Sequence, residues 1–301
     1  MNFFGKLFGS QKPKAQGKET PTVPLQRGRP PKGGLAESSS IHLDLPQMVV
    51  GCSQSVGKQR EHNEDALFAM TTSLASNGNY VPLGLYIVAD GMGGHAQGEV
   101  ASGLAVRSIV NYLLRKVFMS VLATKPSTPS DSIQEIMQAA VQEAHRAIMK
   151  DAPGSGTTLT ALLLLDKQMT IAHVGDSRAY IIALDGTIQT LTRDHSLVMR
   201  MIELGQLTAE EAQIHPQRNV LYRALGQGDP FAPDVSTSPL PDSGYILLCS
   251  DGLWGVVGED EIVRLISKAP NPHIASQLLV DAANTNGGPD NISAILIRIP
   301  D

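Results

Sequence analysis

Five aspartates abut apolar runs in this chain. LGLYIVAD closes on Asp90 and is followed by Gly91, and YILLCSD closes on Asp251 and is followed by Gly252. TIAHVGD closes on Asp176, GGPDN places Asp290 just ahead of ISAILIRI, and Asp65 opens the run Ala66–Met70. One Asp-Gly pair is ordinary turn chemistry. Five acids at strand ends suggest something else if those ends converge. Crowded carboxylates repel one another unless a cation sits among them. Hard divalent ions held through oxygen meet that need, and Mn²⁺ or Mg²⁺ suits carboxylate and water. The glycines after Asp90 and Asp251 permit close backbone approach, and a carbonyl can itself ligate. Two adjacent ions activate a shared water for in-line displacement at phosphorus. Arg60, five residues before Asp65, offers a fork for phosphate oxygens. Its plain alternative is a surface ion pair with Glu61 or Glu64.

Such acids need strands to hold them. Apolar runs predict strands at 48–54, 66–70, 83–89, 158–165, 169–174, 178–184, 244–249 and 291–299. Asp166-Lys167-Gln168 and Asp185-Gly186 read as hairpin turns. Stretches of 3.6-residue period predict helices at 97–117, 132–150, 196–204, 259–268 and 273–285. The helix at 196–204 should stop at Gly205, and Thr208 with Glu211 three residues on forms a capping box for a short second helix. Strands occur in groups with helices between the groups, which favours antiparallel sheets with helices packed outside.

The chain has 301 residues, of which 42% are hydrophobic and 18% charged. That suits a large globular body and excludes a wholly disordered chain. Residues 1–40 carry seven Lys and Arg against two Glu, whereas the remainder carries seventeen against twenty-seven acids. An acidic body is a poor match for bulk nucleic acid but can hold metal ions. Ser10 to Pro46 contains no aromatic residue and no hydrophobic period, so residues 1–47 are expected to form a disordered basic tail ahead of a body at 48–301. Within the tail, Arg27-Gly28-Arg29-Pro30 looks like an AT-hook core for a narrow minor groove. A solvated tether, or attraction to anionic lipid assisted by MNFFGKLFG, explains the same residues. No stretch is long and apolar enough to span a membrane, no secretory leader is visible, and two cysteines cannot make a disulfide framework. The expected location is cytoplasmic.

The blocks SVGKQREHNEDA (55–66), VADGMGGHAQGEVAS (88–102), GSGTTLTALLL (154–164), HVGDSRAY (173–180), LTRDHSLVMRMIELGQLTAEEA (191–212), HPQRNVLYRALG (215–226), LLCSDGLW (247–254) and GGPDNIS (287–293) resemble, in this order, the bacterial branch of the PPM family. These are the metal-dependent type 2C protein phosphatases. The resemblance implies an α+β fold, a four-layer α-β-β-α sandwich of two antiparallel sheets flanked by helices. It implies two tightly bound Mn²⁺ or Mg²⁺ ions, with Asp90 bridging them, the Gly91 carbonyl on the first, and Asp251 and Asp290 on the second. Asp65, with Glu64, would act mainly through water, and Asp176 with Asp251 would hold a third, weaker ion. Arg60 would receive the phosphate. Some relatives from the animal branch carry His directly after the DG pair as a candidate general acid. Here that position is Met92, which leaves His95 either to donate a proton or to pin its glycine-rich loop; His62 reads as structural. Residues 195–226 match a flap beside the cleft, read either as mobile and substrate-selecting or as a static excursion. The implied activity is hydrolysis of phosphoserine and phosphothreonine on proteins, opposing a Ser/Thr kinase by analogy with bacterial relatives; the oligomeric state is unreadable from the sequence, and a monomer is the default expectation. A non-catalytic binding module should have lost its metal aspartates, and a nuclease should carry a basic groove; neither description fits.

Overall fold

A computed structural model describes residues 47–76, 79–93, 97–123, 131–228 and 231–300. The tail at 1–46, with its AT-hook-like segment, lies outside the described residues. Pro46–Asp301 form one compact unit.

Two antiparallel sheets face each other. The first has the order β1 (Val49–Ser55), β11 (Ile292–Ile299), β10 (Gly244–Cys249), β7 (Arg178–Ile182), β8 (Ile188–Thr190). The second runs β2 (Asp65–Ser76), β3 (Asn79–Met92), β5 (Leu159–Leu165), β6 (Gln168–Val174), β9 (Asp234–Pro239), with the two-residue β4 (Gly156–Thr157) paired to the end of β3. The helices form the outer layers. Helix α1 (Gln97–Leu113) packs on β2 and β3 and on α3 (Ile133–Asp151); α1 itself runs on through a π-helical turn at Leu114–Phe118 into α2 (Met119–Leu122). On the first sheet, α8 (Pro272–Thr285) covers β1 and β11 and carries α7 (Glu259–Lys268) on its flank. The α-β-β-α sandwich implied by the sequence is the fold.

The inner strands are apolar throughout because both of their faces are covered. In β10 and β11, Ile246, Leu248, Ile295, Ile297 and Ile299 point between the sheets, where they meet Tyr86, Val88, Leu162 and Leu164. The alternate residues Leu247, Cys249, Ala294 and Leu296 point outward onto Leu253, Ile262, Leu279 and Ala283. A period of two with both faces buried erases the alternation a one-sided sheet would show. Each such Leu or Ile side chain removed from water contributes about 1.5–3 kcal/mol before entropic costs.

Several sequence expectations need adjustment. Strand β3 does not end at Asp90; Gly91 and Met92 continue it by pairing with Thr157 and Gly156. Strands β8 and β9 went unpredicted. Both sit at sheet edges, and β9 (DVSTSP) is half exposed along its length. An edge strand has too little apolar surface to bury for a hydrophobic run to announce it. The hairpin at Asp166-Lys167 forms with Asp166 at φ 55°, the left-handed conformation an aspartate tolerates. The short helix α4 (Leu197–Glu203) stops before Gly205, and α5 (Ala209–Gln213) opens on the expected capping box. There the Glu211 amide donates to the Thr208 hydroxyl and the Thr208 amide donates to the Glu211 carboxylate. A short helical turn, α6 (Asp251–Trp254), follows β10. Among the described residues, no helix is long and apolar enough to cross a membrane.

Candidate metal centre

Strand register sets the first pair of acids. Asp65 at the start of β2 lies directly across from Asp90 near the end of β3. Asp90 is fixed through its backbone: its amide donates to the Thr158 hydroxyl at 2.9 Å, and its carbonyl accepts from the Thr158 amide at 2.8 Å and the Thr157 hydroxyl at 2.9 Å. Gly91 is required by a close approach. A β-carbon there would overlap the Gly98 carbonyl at the start of α1 and the Glu64 carbonyl beside it. The first sheet delivers Asp251 just past β10 and Asp290 just before β11. Here too a glycine is needed, since a β-carbon at Gly252 would collide with the Asn291 carbonyl.

The strand ends converge. An open cleft of about 270 Å³ is lined by Arg60, Asp90, Gly91, Asp176, Asp251 and Asp290, together with Glu64, Met92 and Thr158. Asp65 lies buried outside that lining, where its Oδ2 accepts from the hydroxyls of Ser250 (2.8 Å) and Ser293 (2.7 Å). His95 lies outside the described residues. Arg60 does not pair with Glu61 or Glu64; its guanidinium donates to Asp290 at 2.7 Å while half its side chain stays exposed. Asp176 follows β6 and its carbonyl accepts the Trp254 indole N–H at 2.9 Å.

The electrostatics mark this cluster as short of positive charge. Burial, and then the neighbouring carboxyls Asp65 and Asp251, push Asp90 well above the ordinary carboxylate range. Burial and then Asp251 and Asp194 do the same to Asp176. Asp65 is lifted to about 7 by burial, against the pull of the Ser293 and Ser250 hydroxyls. Asp251 is lifted to about 6, by burial first and by Asp290 next. Two buried oxygens, Asp65 Oδ1 and Asp251 Oδ1, have no hydrogen-bond partner among the described residues. Such orphaned acceptors are costly unless something positive meets them. Among the described residues no three His, Cys, Asp or Glu side chains are gathered closely enough to hold an ion by themselves, so carbonyl and water oxygens would have to complete any coordination. The donors are therefore an open set of carboxylate and carbonyl oxygens, the kind that Mn²⁺ or Mg²⁺ completes with water. The residues present fit hard divalent cations.

Several supporting residues had no signal of their own in the sequence. The Asn291 side chain accepts from the Glu64 amide and donates to the Val56 and His62 carbonyls, tying the Arg60 loop to β11. His62 thus serves the scaffold through its backbone. Ser250 and Ser293 hold Asp65, and Thr158 bonds Ser177 at 2.6 Å beneath Asp176. Ser250, Ser177 and Asn291 each adjoin a strand-end acid, and that adjacency was the available clue; Ser293 and Thr158 offered none. Behind Asp176, Arg178 grips Asp194 with two nitrogens at 3.0 and 2.7 Å and stacks on Trp254 at 3.6 Å. His195, at the flap's root, receives the Gly175 amide on Nδ1 at 3.1 Å, so its Nε2–H faces Asp234. Burial drives its neighbour His173 down to about 3, so that imidazole stays neutral.

Residues 50–292 match the family model "Protein phosphatase 2C". The chain is similar to the serine/threonine phosphatase stp of Listeria innocua, at 36% identity over 80% of this chain and 92% of the relative. It is also similar to the solved serine/threonine phosphatase PstP/Ppp of Mycobacterium tuberculosis, with a TM-score of 0.70 and 30% identity over 85% of this chain and all of that one. A second structure, the catalytic domain of PstP in complex with two manganese ions, superposes with a TM-score of 0.69 at 29% identity over 85% of this chain and all of that one.

Proposed function

The chain belongs to the protein phosphatase 2C family, and on that premise we propose that it hydrolyses phosphoserine and phosphothreonine on proteins by in-line attack of an activated water on phosphorus. The observation that carries this reading is the cleft itself. Five carboxylates and one arginine line a common space, and two buried carboxylate oxygens, one on Asp251 in the lining and one on Asp65 behind it, lack any partner among the described residues.

Asp90, the Gly91 carbonyl, Asp251 and Asp290 would hold two Mn²⁺ or Mg²⁺ ions, and Asp176 with Asp251 a third and weaker one. When bound, such ions supply a water acidic enough to ionise near neutral pH and positive charge for the phosphoryl oxygens. Asp65, held by Ser250 and Ser293, orients water behind Asp90. Arg60 has N–H donors beyond the one given to Asp290, and its exposed fork is placed to receive a phosphate dianion at the mouth. Met92 cannot donate a proton, so the leaving serine or threonine oxygen takes its proton from water or from His95.

A kinase that phosphorylates serine and threonine supplies the substrates of this reaction. The free thiols of Cys52 and Cys249 fit a reducing compartment such as the cytoplasm. The deciding assay compares a phosphothreonine peptide with an oligonucleotide, each with Mn²⁺ and with chelator. Phosphate release from the peptide alone, and only with metal, is expected; cleavage of the oligonucleotide would overturn the reading.

A further inference from the structure

Arg60 sits in the middle of a loop without regular structure, residues 56–64, and half of its side chain is exposed. A long side chain on such a loop samples many arrangements, and ordering it when substrate binds costs affinity. Yet the backbone on either side of Arg60 is held. The amides of Lys58 and Gln59 donate to the Gly288 carbonyl at 2.7 and 3.2 Å. Gly57, at φ 82°, lets the loop lie against the Asp290 carbonyl, which a β-carbon there would overlap. The remaining ties come from one side chain, that of Asn291.

Its nitrogen donates to the Val56 carbonyl at the start of the loop (2.8 Å) and to the His62 carbonyl just past Arg60 (2.9 Å). Its oxygen accepts the Glu64 amide at the end of the loop (2.8 Å), and the residue is 4% exposed. Only a short planar group with two donors and one acceptor satisfies all three; aspartate lacks the donors and leucine has neither. The Asn291 main chain is pinned as well. Its amide donates to Asp290 Oδ1 at 2.8 Å, and its carbonyl lies where a β-carbon at Gly252 would stand. Asp290 Oδ2 in turn takes Arg60 at 2.7 Å. Arg60, Asp290, Asn291 and the loop backbone thus close a ring, which holds the guanidinium on the lining of the cleft.

We propose that Asn291 is a positioning residue of the reaction: it presets the loop that carries Arg60, and through that loop the affinity for the phosphate group. The inference deepens the phosphatase reading and rests on it. Asn291 does not line the cleft, so its effect passes through Arg60. Removing its side chain frees the loop at Val56, His62 and Glu64 while the Gly288 contacts remain. KM should rise about three- to tenfold and kcat should stay within about threefold. The effect extends to every phosphate the clamp receives, large or small.

The test is a double-mutant cycle on the full chain with Mn²⁺ present: wild type, Asn291→Ala, Arg60→Ala and both together. It reads KM and kcat for a phosphothreonine peptide and for p-nitrophenyl phosphate, and the inhibition constant of inorganic phosphate. Asn291→Ala should weaken all of these affinities by a similar factor. In the Arg60→Ala background it should change them by less than about twofold, because the clamp it positions is gone. Titration calorimetry should show both tight Mn²⁺ ions retained by Asn291→Ala. Two effects that multiply, or a loss confined to the peptide, would overturn the proposal. So would the loss of a tightly bound ion, which would place the effect on Asp290. Asn291→Ser, too short to reach either carbonyl, is carried through the same cycle. If neither variant stays folded at the assay temperature, Asn291 serves the sandwich and not the clamp, and the proposal falls. Wild-type protein inert towards both phosphorylated substrates would fail the phosphatase reading itself and take this inference with it, an outcome distinct from an active enzyme whose two effects multiply.

Discussion

The carboxylate cleft and the flap at 195–226 share a lip yet are built differently. Each acid of the cleft is set by strand register or by buried bonds: Asp65 opposite Asp90, Ser250 and Ser293 on Asp65, Asn291 across the Arg60 loop. The flap is two short helices with Leu204 and Ile214 facing outward, 56% and 82% exposed. It is fastened mainly at its root, where the His195 amide and ring both bond Gly175, Ser196 bridges to Leu221, and Arg223 holds Asp234 at 2.7 Å. Each acid therefore rests on backbone that cannot move without breaking the sandwich, whereas the surface of the flap can change without disturbing the acids.

Substitutions in the cleft should therefore act on every substrate, and the largest loss belongs at its centre. Asp90→Asn should lower kcat by at least about two to three orders of magnitude, since that carboxylate organises both the nucleophile and the charge. Because Asp90 is repelled by Asp65 and Asp251, the metal-free variant should melt no lower than wild type. A loss of activity matched by a loss of thermal stability would make Asp90 a structural residue and erase the contrast.

Asp176→Ala should come next, with kcat reduced about ten- to a hundredfold and the fold retained. Calorimetry at graded Mn²⁺ should show the tight binding intact and the response at high concentration gone. If the variant melts several degrees lower and binds Mn²⁺ like wild type, the third site is wrong. Arg60→Ala should then raise KM about tenfold with a smaller fall in kcat, and Arg60→Lys should restore only part, because a point charge lacks the fork. Unchanged kinetics would reduce Arg60 to the partner of Asp290.

The smallest expected effect is on stability against pH. The folded protein holds protons on Asp65 and Asp251 up to about 7 and about 6, while unfolded aspartate releases them near 3.9. Between those values the native state binds more protons, so the stability these groups contribute is fully present below about pH 4 and lost as pH rises through 6 and 7. Metal-free protein should melt a few degrees lower at pH 8 than at pH 5, and saturating Mn²⁺ should flatten the difference by favouring the ionised carboxylates. A metal-free Tm that rises over that interval would contradict the crowding on which the cleft is argued.

The same contrast explains what the sequence disclosed. Strands buried on both faces, such as β10 and β11, announce themselves by uninterrupted apolar residues, and the acids at their ends stand out against that background. Edge strands β8 and β9 bury little and read as loops. The acids of the site were legible because carboxylates beside apolar runs are unusual. Ser250, Ser293, Thr158 and Asn291 were not, because their importance lies in partners 19 to 235 residues away along the chain. The hollow lined by Met199, Ile202 and Trp254 was also invisible, since the flap and α6 supply its walls from distant stretches of the chain.

The central claim is that the cleft holds two divalent ions on which turnover depends. Titration calorimetry of exhaustively chelated protein with Mn²⁺, read beside phosphothreonine-peptide hydrolysis at each addition, tests it most directly. Two tightly bound ions per chain are expected, with activity absent at the start and rising as the second is taken up. Full turnover in the chelated protein, or activity that climbs with no tightly bound ion, would contradict it.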